Sequence, residues 1–140
     1  MQCLSKADML DMLEFVRHQA QFIIDSTKDV VKVDEFLVSM TGMVLYNSTL
    51  MCLQTIGEAL KNVDNLTGRN FLSVYYPQTP WKSMIGLRNI ISHEYMDTDY
   101  EEIFNIIKED IPVLLQVIET IINDVESGRH DVFLERLEKK

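Results

Sequence analysis

Apolar residues recur at three- and four-residue spacing through three long runs of this chain, and nowhere do they alternate. Met9, Leu13, Val16, Ala20, Ile23 and Ile24 mark the first run. Phe36, Leu37, Met40, Val44, Leu45, Met51, Leu53, Ile56 and Leu60 mark the second, and Ile103, Ile106, Ile107, Val113, Leu114, Val117, Ile118, Ile121 and Ile122 the third. That spacing gathers residues on one side of a helix, whereas a half-buried strand needs a period of two. With three prolines and five glycines in 140 residues, little interrupts such helices. The pattern predicts an all-α fold: a single-domain bundle of four to five helices over residues 1–140, up-and-down in topology.

The boundaries follow from local chemistry. The first helix spans about Ser5 to Ser26, with His18 on its surface. A short link follows, and Asp34 is a plausible N-cap for a long helix to about Val63, bent near Gly42. This second helix is apolar on more than one side, which suits the middle of a bundle or a subunit interface. The eight methionines of the chain read as gap-filling core. In the segment IGEAL, Gly57 would let another helix approach closely, and Glu58 reads as a solvated carboxylate. Asp64 to Thr79 is the long connection, and Phe71, Leu72, Val74, Tyr75 and Tyr76 should fold it back on the bundle. Thr79 and Pro80 read as cap and first residue of the next helix. Thr98-x-x-Glu101 has the form of a capping box, Pro112 should kink the helix it opens, and Ser127-Gly128 should end it. A short amphipathic tail, Val132 to Leu137, follows.

The formal charge of −9 argues against broad, sequence-blind binding to DNA or other nucleic acid and to anionic membrane. It leaves room for a small local RNA site. Cys3 and Cys52 stand far apart with no metal-binding spacing, so no metal or other cofactor is expected. Two unpaired thiols fit a reducing compartment. Acidic residues interrupt the N-terminal apolar run, no signal peptide is read there, and no stretch is long enough to span a membrane. A cytoplasmic protein is expected.

Chemistry concentrates in Trp81 to Tyr95, WKSMIGLRNIISHEY. As a helix, it places Met84, Leu87, Ile90 and Ile91 on one arc and Arg88, Asn89, Ser92 and His93 on the other. Tyr95 joins Arg88 and Ser92 if the helix runs that far. Asn89 and His93, four apart, are spaced for the amide to orient the imidazole. Arg88 and His93, five apart, flank a groove. A solvated outer face of the same residue types is the ordinary alternative.

Arg88-x4-His93-x-Tyr95 in a small helical bundle resembles the HepT-like toxins of the HEPN superfamily. IGEAL resembles the family's IGEA segment, PWKSMIGLRNIISHEY its Pro-Trp-x-x-Ile/Met-x-Gly-x-Arg-Asn block, and Tyr100 through Leu114 the segment after it. Most of the chain is covered. Glu94 departs from the pattern, since many relatives carry glycine there. A carboxylate beside His93 would raise its pKa and repel phosphate.

The resemblance implies a HEPN-like bundle and a metal-independent endoribonuclease toxin that works as a homodimer on an RNA substrate. Its usual partner is a minimal nucleotidyltransferase antitoxin, able to add AMP to the motif tyrosine. Carried onto this chain, Arg88 and His93 are catalytic, Asn89 and Ser92 support or orient the substrate, and Tyr95 is the modification target. The residue types agree with that chemistry. Attack by the ribose 2′-hydroxyl needs a proton carrier, which His93 suits, and a cation for charge building on phosphate, which Arg88 suits. Two copies across a two-fold axis would supply two of each. The alternative is a non-catalytic HEPN subunit that binds and assists a nucleotidyltransferase.

Overall fold

The computed structural model describes residues 4–90 and 99–139, and every regular element among them is helical. Helix α1 is Lys6–Thr27. Its start is fixed by a reciprocal pair: Ser5 Oγ accepts the Asp8 N–H at 3.0 Å, and the Asp8 carboxylate accepts the Ser5 N–H at 3.3 Å.

Helix α2, Met40–Leu66, begins later than the sequence suggests. Asp34 opens no long helix; it lies in a 3-10 turn, Val33–Phe36, which drives the Phe36 ring fully into the core. The chain then reverses, and Ser39 caps α2 by accepting the Gly42 N–H at 2.9 Å. Gly42 is no bend. It is the point where the preceding turn crosses α2, since a Cβ there would overlap the Glu35 carbonyl oxygen. The far end of α2 closes on Gly68, at φ 67°, with Arg69 N–H to Asp64 carbonyl at 2.8 Å and Gly68 N–H to Asn65 carbonyl at 3.1 Å. Ser127-Gly128 closes the later helix in the same way, through Gly128 at φ 90°.

The connection between them folds back as expected. Phe71 and Leu72 are fully buried, and Leu72–Tyr75 forms the single turn α3. Helix α4, Trp81–Gly86, has Pro80 rather than Thr79 at its cap position, because the Trp81 N–H turns back to the Thr79 carbonyl at 2.8 Å. It does not continue as a regular α-helix through the motif. Leu87–Asn89 is a 3-10 turn, which winds more tightly and moves its side chains off the α-helical arcs.

Helix α5, Tyr100–Asn105, is capped by Asp99, whose Oδ1 accepts from Glu101 N–H at 3.0 Å and Glu102 N–H at 3.2 Å. The cap is thus one residue beyond the expected Thr98, which lies outside the described residues. A π-helical turn, Ile106–Asp110, joins α5 to helix α6, Ile111–Glu126. The disturbance expected at Pro112 takes this form. A proline has no N–H for the carbonyl four residues back and its ring crowds that carbonyl, which a wider preceding turn relieves. Helix α7, Asp131–Glu138, is the expected tail. Counting Tyr100–Glu126 as one, the described residues hold five helices longer than a single turn.

Two long-range bonds give the direction of the bundle. Lys6 at the start of α1 meets Asp131, just past α6, at 3.0 Å, and Lys108 before α6 donates to the Thr27 carbonyl at 2.7 Å. Helix α1 is therefore antiparallel to α6. Its first turns also line one groove with the last turns of α2, so it is antiparallel to both. Leu13, Val16 and Ile23, Leu53, Ile56 and Leu60, and Leu114, Ile118 and Ile121 build the core between them. No helix among the described residues is long and apolar enough to cross a membrane.

The methionines correct an expectation. Met9 and Met84 are buried, but Met40, Met43 and Met51 are 77%, 50% and 57% exposed. At about 100° per residue, Met40, Val44 and Met51 share a stripe on α2 nearly opposite its buried arc of Tyr46, Leu53, Ile56 and Leu60. From Leu37 to Gly57 the chain carries no charged residue. The Gln19–Thr55 hydrogen bond, 2.7 Å, sets α1 and α2 in register and puts exposed Phe22 level with Met51. A broad apolar surface runs across both helices.

Candidate functional site

Helix α4 is laid against α2 by burying Trp81, Met84 and Leu87. The closest approach falls at Gly57, as the IGEAL segment suggested. A Cβ on Gly57 would overlap the backbone nitrogen of Arg88 and stand 2.9 Å from its Cα. Hydrogen at this one position lets the Leu87–Asn89 turn seat directly on the α2 backbone. The turn is pinned by main-chain packing, and the Arg88 side chain is left exposed. No carboxylate among the described residues forms an ion pair with it. Asn89, next to it, is half-buried and engaged in an interaction.

Beside this turn lies an open cleft of about 860 Å³. Ser83, Leu87 and Asn89 form one wall; α5 and the π turn form the other. The second wall is acidic, with Asp99, Glu101, Glu102 and Asp110 on it. Four carboxylates and no lysine or arginine line the cleft, so its own field favours cations. Glu58, one residue past Gly57, is exposed as expected.

Tyr46 stands near the start of α5. Its ring lies 4.7 Å from that of Tyr100 and 5.3 Å from that of Phe36, and its hydroxyl is buried with no hydrogen-bond partner among the described residues. Burial first, then the neighbouring Tyr100 and Asp99, push its ionisation well above the ordinary tyrosine range.

Of the five residues singled out in sequence, the structure describes Arg88 and Asn89; Asn89 lines this cleft, and Arg88 lies beside it on the same turn without lining it. Ser92, His93 and Tyr95, with Glu94, lie outside the described residues. Cys3 does also, while Cys52 is a buried free thiol whose ionisation is pushed up by burial. His18 is exposed on α1, as expected. Among the described residues no group of three or more His, Cys, Asp or Glu side chains is placed to hold a metal ion.

Sequence reading missed a polar cluster at the other end of α4. Tyr76 Oη lies 2.7 Å from Asp124 Oδ2 and 2.7 Å from His130 Nε2, and Arg129 Nη1 reaches the same Asp124 oxygen at 2.9 Å. These residues come from α6, the turn after it and a segment far upstream. No local spacing announces them; the tertiary fold alone brings them together.

The chain from residue 18 to residue 121 matches the family model described as "Ribonuclease HepT-like". It is 34% identical over 118 residues to the Methanocaldococcus jannaschii protein named "Putative RNase MJ1380", covering 84% of this chain and 100% of that one. A second protein of that organism, "Putative RNase MJ0127", is 36% identical over 121 residues, 86% of this chain and 89% of its own length. "Probable ribonuclease HepT" of Thermococcus cleftensis is 29% identical over 104 residues, 74% of this chain and 86% of its own. No solved structure matches.

Proposed function

Because the chain belongs to the HepT-like ribonuclease family, we propose that it is a metal-independent endoribonuclease toxin whose working residues are Arg88 and His93. The observation that carries this reading is the exposed Arg88 side chain on a turn pinned to Gly57 at the edge of an open cleft. A guanidinium held on fixed backbone can clasp two non-bridging phosphate oxygens. In the proposed reaction, His93 takes the proton of a ribose 2′-hydroxyl, whose oxygen attacks the adjacent phosphorus. The bond from phosphorus to the 5′-oxygen breaks, and that oxygen leaves with the proton handed back by the His93 imidazolium. Arg88 holds the negative charge that builds on the phosphoryl oxygens. Asn89 and Ser92 orient the strand.

The active form in this reading is a homodimer. The uncharged, exposed stripe of Met40, Val44 and Met51 supports it, because charge depletion with methionine enrichment is the composition of an interface core. On α2 that stripe lies about 120° around the axis from Gly57, so the Arg88 turn sits on the adjoining face. An isologous pair across the stripe would carry both copies' Arg88 along the seam. A minimal nucleotidyltransferase antitoxin, adding AMP to Tyr95, completes the proposal.

The acidic wall formed by Asp99, Glu101, Glu102 and Asp110 favours a second reading, a non-catalytic HEPN subunit that binds the nucleotidyltransferase. Cleavage of single-stranded RNA by purified protein in EDTA, lost in His93→Ala, supports the nuclease. Undiminished cleavage in His93→Ala, strict need for a divalent ion, or no cleavage at all overturns it.

A further inference from the structure

We propose that Tyr76 is a positioning clamp that ties the start of the Arg88-bearing helix to the C-terminal end of the bundle, and that protonation of His130 opens it. The regulatory meaning rests on Arg88 being part of the working site; the clamp itself does not.

Tyr76 is held at both ends. Its carbonyl accepts the indole N–H of Trp81, the first residue of α4, at 2.8 Å. Its hydroxyl sits between Asp124 of α6 and His130 at the cap of α7. One residue thus bridges α4, α6 and α7, and Trp81 and Tyr76 are themselves buried. From Trp81, α4 and the turn after it lead directly to Arg88. A shift of Tyr76 would be passed along this short rigid path, since packed cores transmit displacement.

The proton inventory makes the clamp acid-sensitive. A tyrosine hydroxyl has one proton and a carboxylate only accepts, so Tyr76 donates to Asp124. The 2.7 Å contact with His130 is then an Nε2–H donated to Tyr76 Oη, so Nε2 carries a proton and a second one must add at Nδ1. That ring is 2% exposed and enclosed by aromatic rings, with Phe71 at 4.7 Å and Tyr75 at 4.9 Å. The groups facing it are Tyr75 and Tyr76 from the α3 end, Asp124 from α6 and Arg129 from the turn. Its chain neighbour Asp131 is held by Lys6 of α1. A second ring proton would place a cation in this enclosure beside Arg129. Burial, then Arg129, hold the imidazole pKa below its ordinary value, with Asp124 opposing. The folded state therefore binds that proton more weakly than the unfolded chain. The stabilisation is complete above about pH 6.5 and is lost as pH falls through the depressed folded value. The ring gains hydration by leaving, and Tyr76 loses its donor.

Trp81 is the only tryptophan and reports the joint directly. The experiment titrates the intact protein from about pH 8 to about pH 5, following tryptophan emission and helical circular dichroism together. A reversible red shift while most helical signal remains is expected. His130→Gln keeps an N–H donor without titrating and should abolish the shift. Tyr76→Phe should show the shifted emission already at neutral pH. With RNA substrate, Tyr76→Phe should lower kcat about tenfold with KM nearly unchanged, as misplacement of a charge-stabilising group does. Emission that stays fixed, that shifts equally in His130→Gln, or that moves only with global loss of helix overturns the clamp. The fluorescence arm needs no RNA, so an inactive wild type would count against the nuclease reading and leave the clamp to be decided by Trp81.

Discussion

The backbone of Arg88 rests on the Cα of Gly57, with no room between them for a methyl group. The residue proposed to hold phosphate is thereby positioned by helix packing. Gly57→Ala should improve the helix propensity of α2 by about 1 kcal/mol, yet overpack the contact at a cost of about 1–3 kcal/mol. We expect a lower melting temperature together with a larger loss of RNA cleavage than of stability. Unchanged melting and full activity would show that the turn is not seated on Gly57.

His93→Ala and Arg88→Ala should each lower cleavage by about a hundredfold or more, the range for a lost proton carrier or charge stabiliser. The Arg88 side chain is exposed, so its removal should leave the melting temperature nearly unchanged. Arg88→Lys should rescue poorly, because an ammonium cannot engage two phosphate oxygens at once. Single-turnover cleavage assays on purified variants measure this.

Met51→Lys and Val44→Asp put charge in the centre of the exposed stripe without touching the buried arc of α2. Sedimentation should show the wild type as a dimer at micromolar concentration and these variants as monomers of unchanged helicity. Monomers that retain full cleavage would separate the stripe from the reaction.

Tyr95 should gain the mass of one or more AMP groups after incubation with a partner nucleotidyltransferase and ATP. Phosphates carried on that phenol would compete for Arg88, so modified protein should lose cleavage. Intact mass with a parallel cleavage assay tests both halves; a modified but fully active protein would contradict the competition.

The helices were legible because apolar periodicity and cap chemistry are local. Ser5 with Asp8, and Gly128 after Ser127, announce their ends in adjacent residues. The start of α2 was not legible, since Ser39 outcompetes Asp34 only once Phe36 is driven into the core. At the site, Gly57 and Arg88 could each be marked in sequence, but their contact could not. The Tyr76–Asp124–His130 cluster was invisible, because its members are joined by the packing of three separate segments. The exposed methionines ran against expectation because composition records that a side chain is apolar, not which partner covers it.

The π turn at Ile106–Asp110 has a use beyond accommodating Pro112. Such a turn holds one residue more than the α-helical turn it replaces, and so behaves as a built-in insertion. Removing a single residue from it, such as Lys108, would restore ordinary winding and leave α5 and α6 nearly in their present phase, since the wider turn carries its extra residue through about the same rotation as one residue fewer of α-helix. Asp99, Glu101 and Glu102 would therefore keep their place on the cleft wall, and only the winding around Asp110 would change. For an engineer, or for a lineage drifting one codon at a time, this turn is the joint where length can change by one residue while both helices keep their faces.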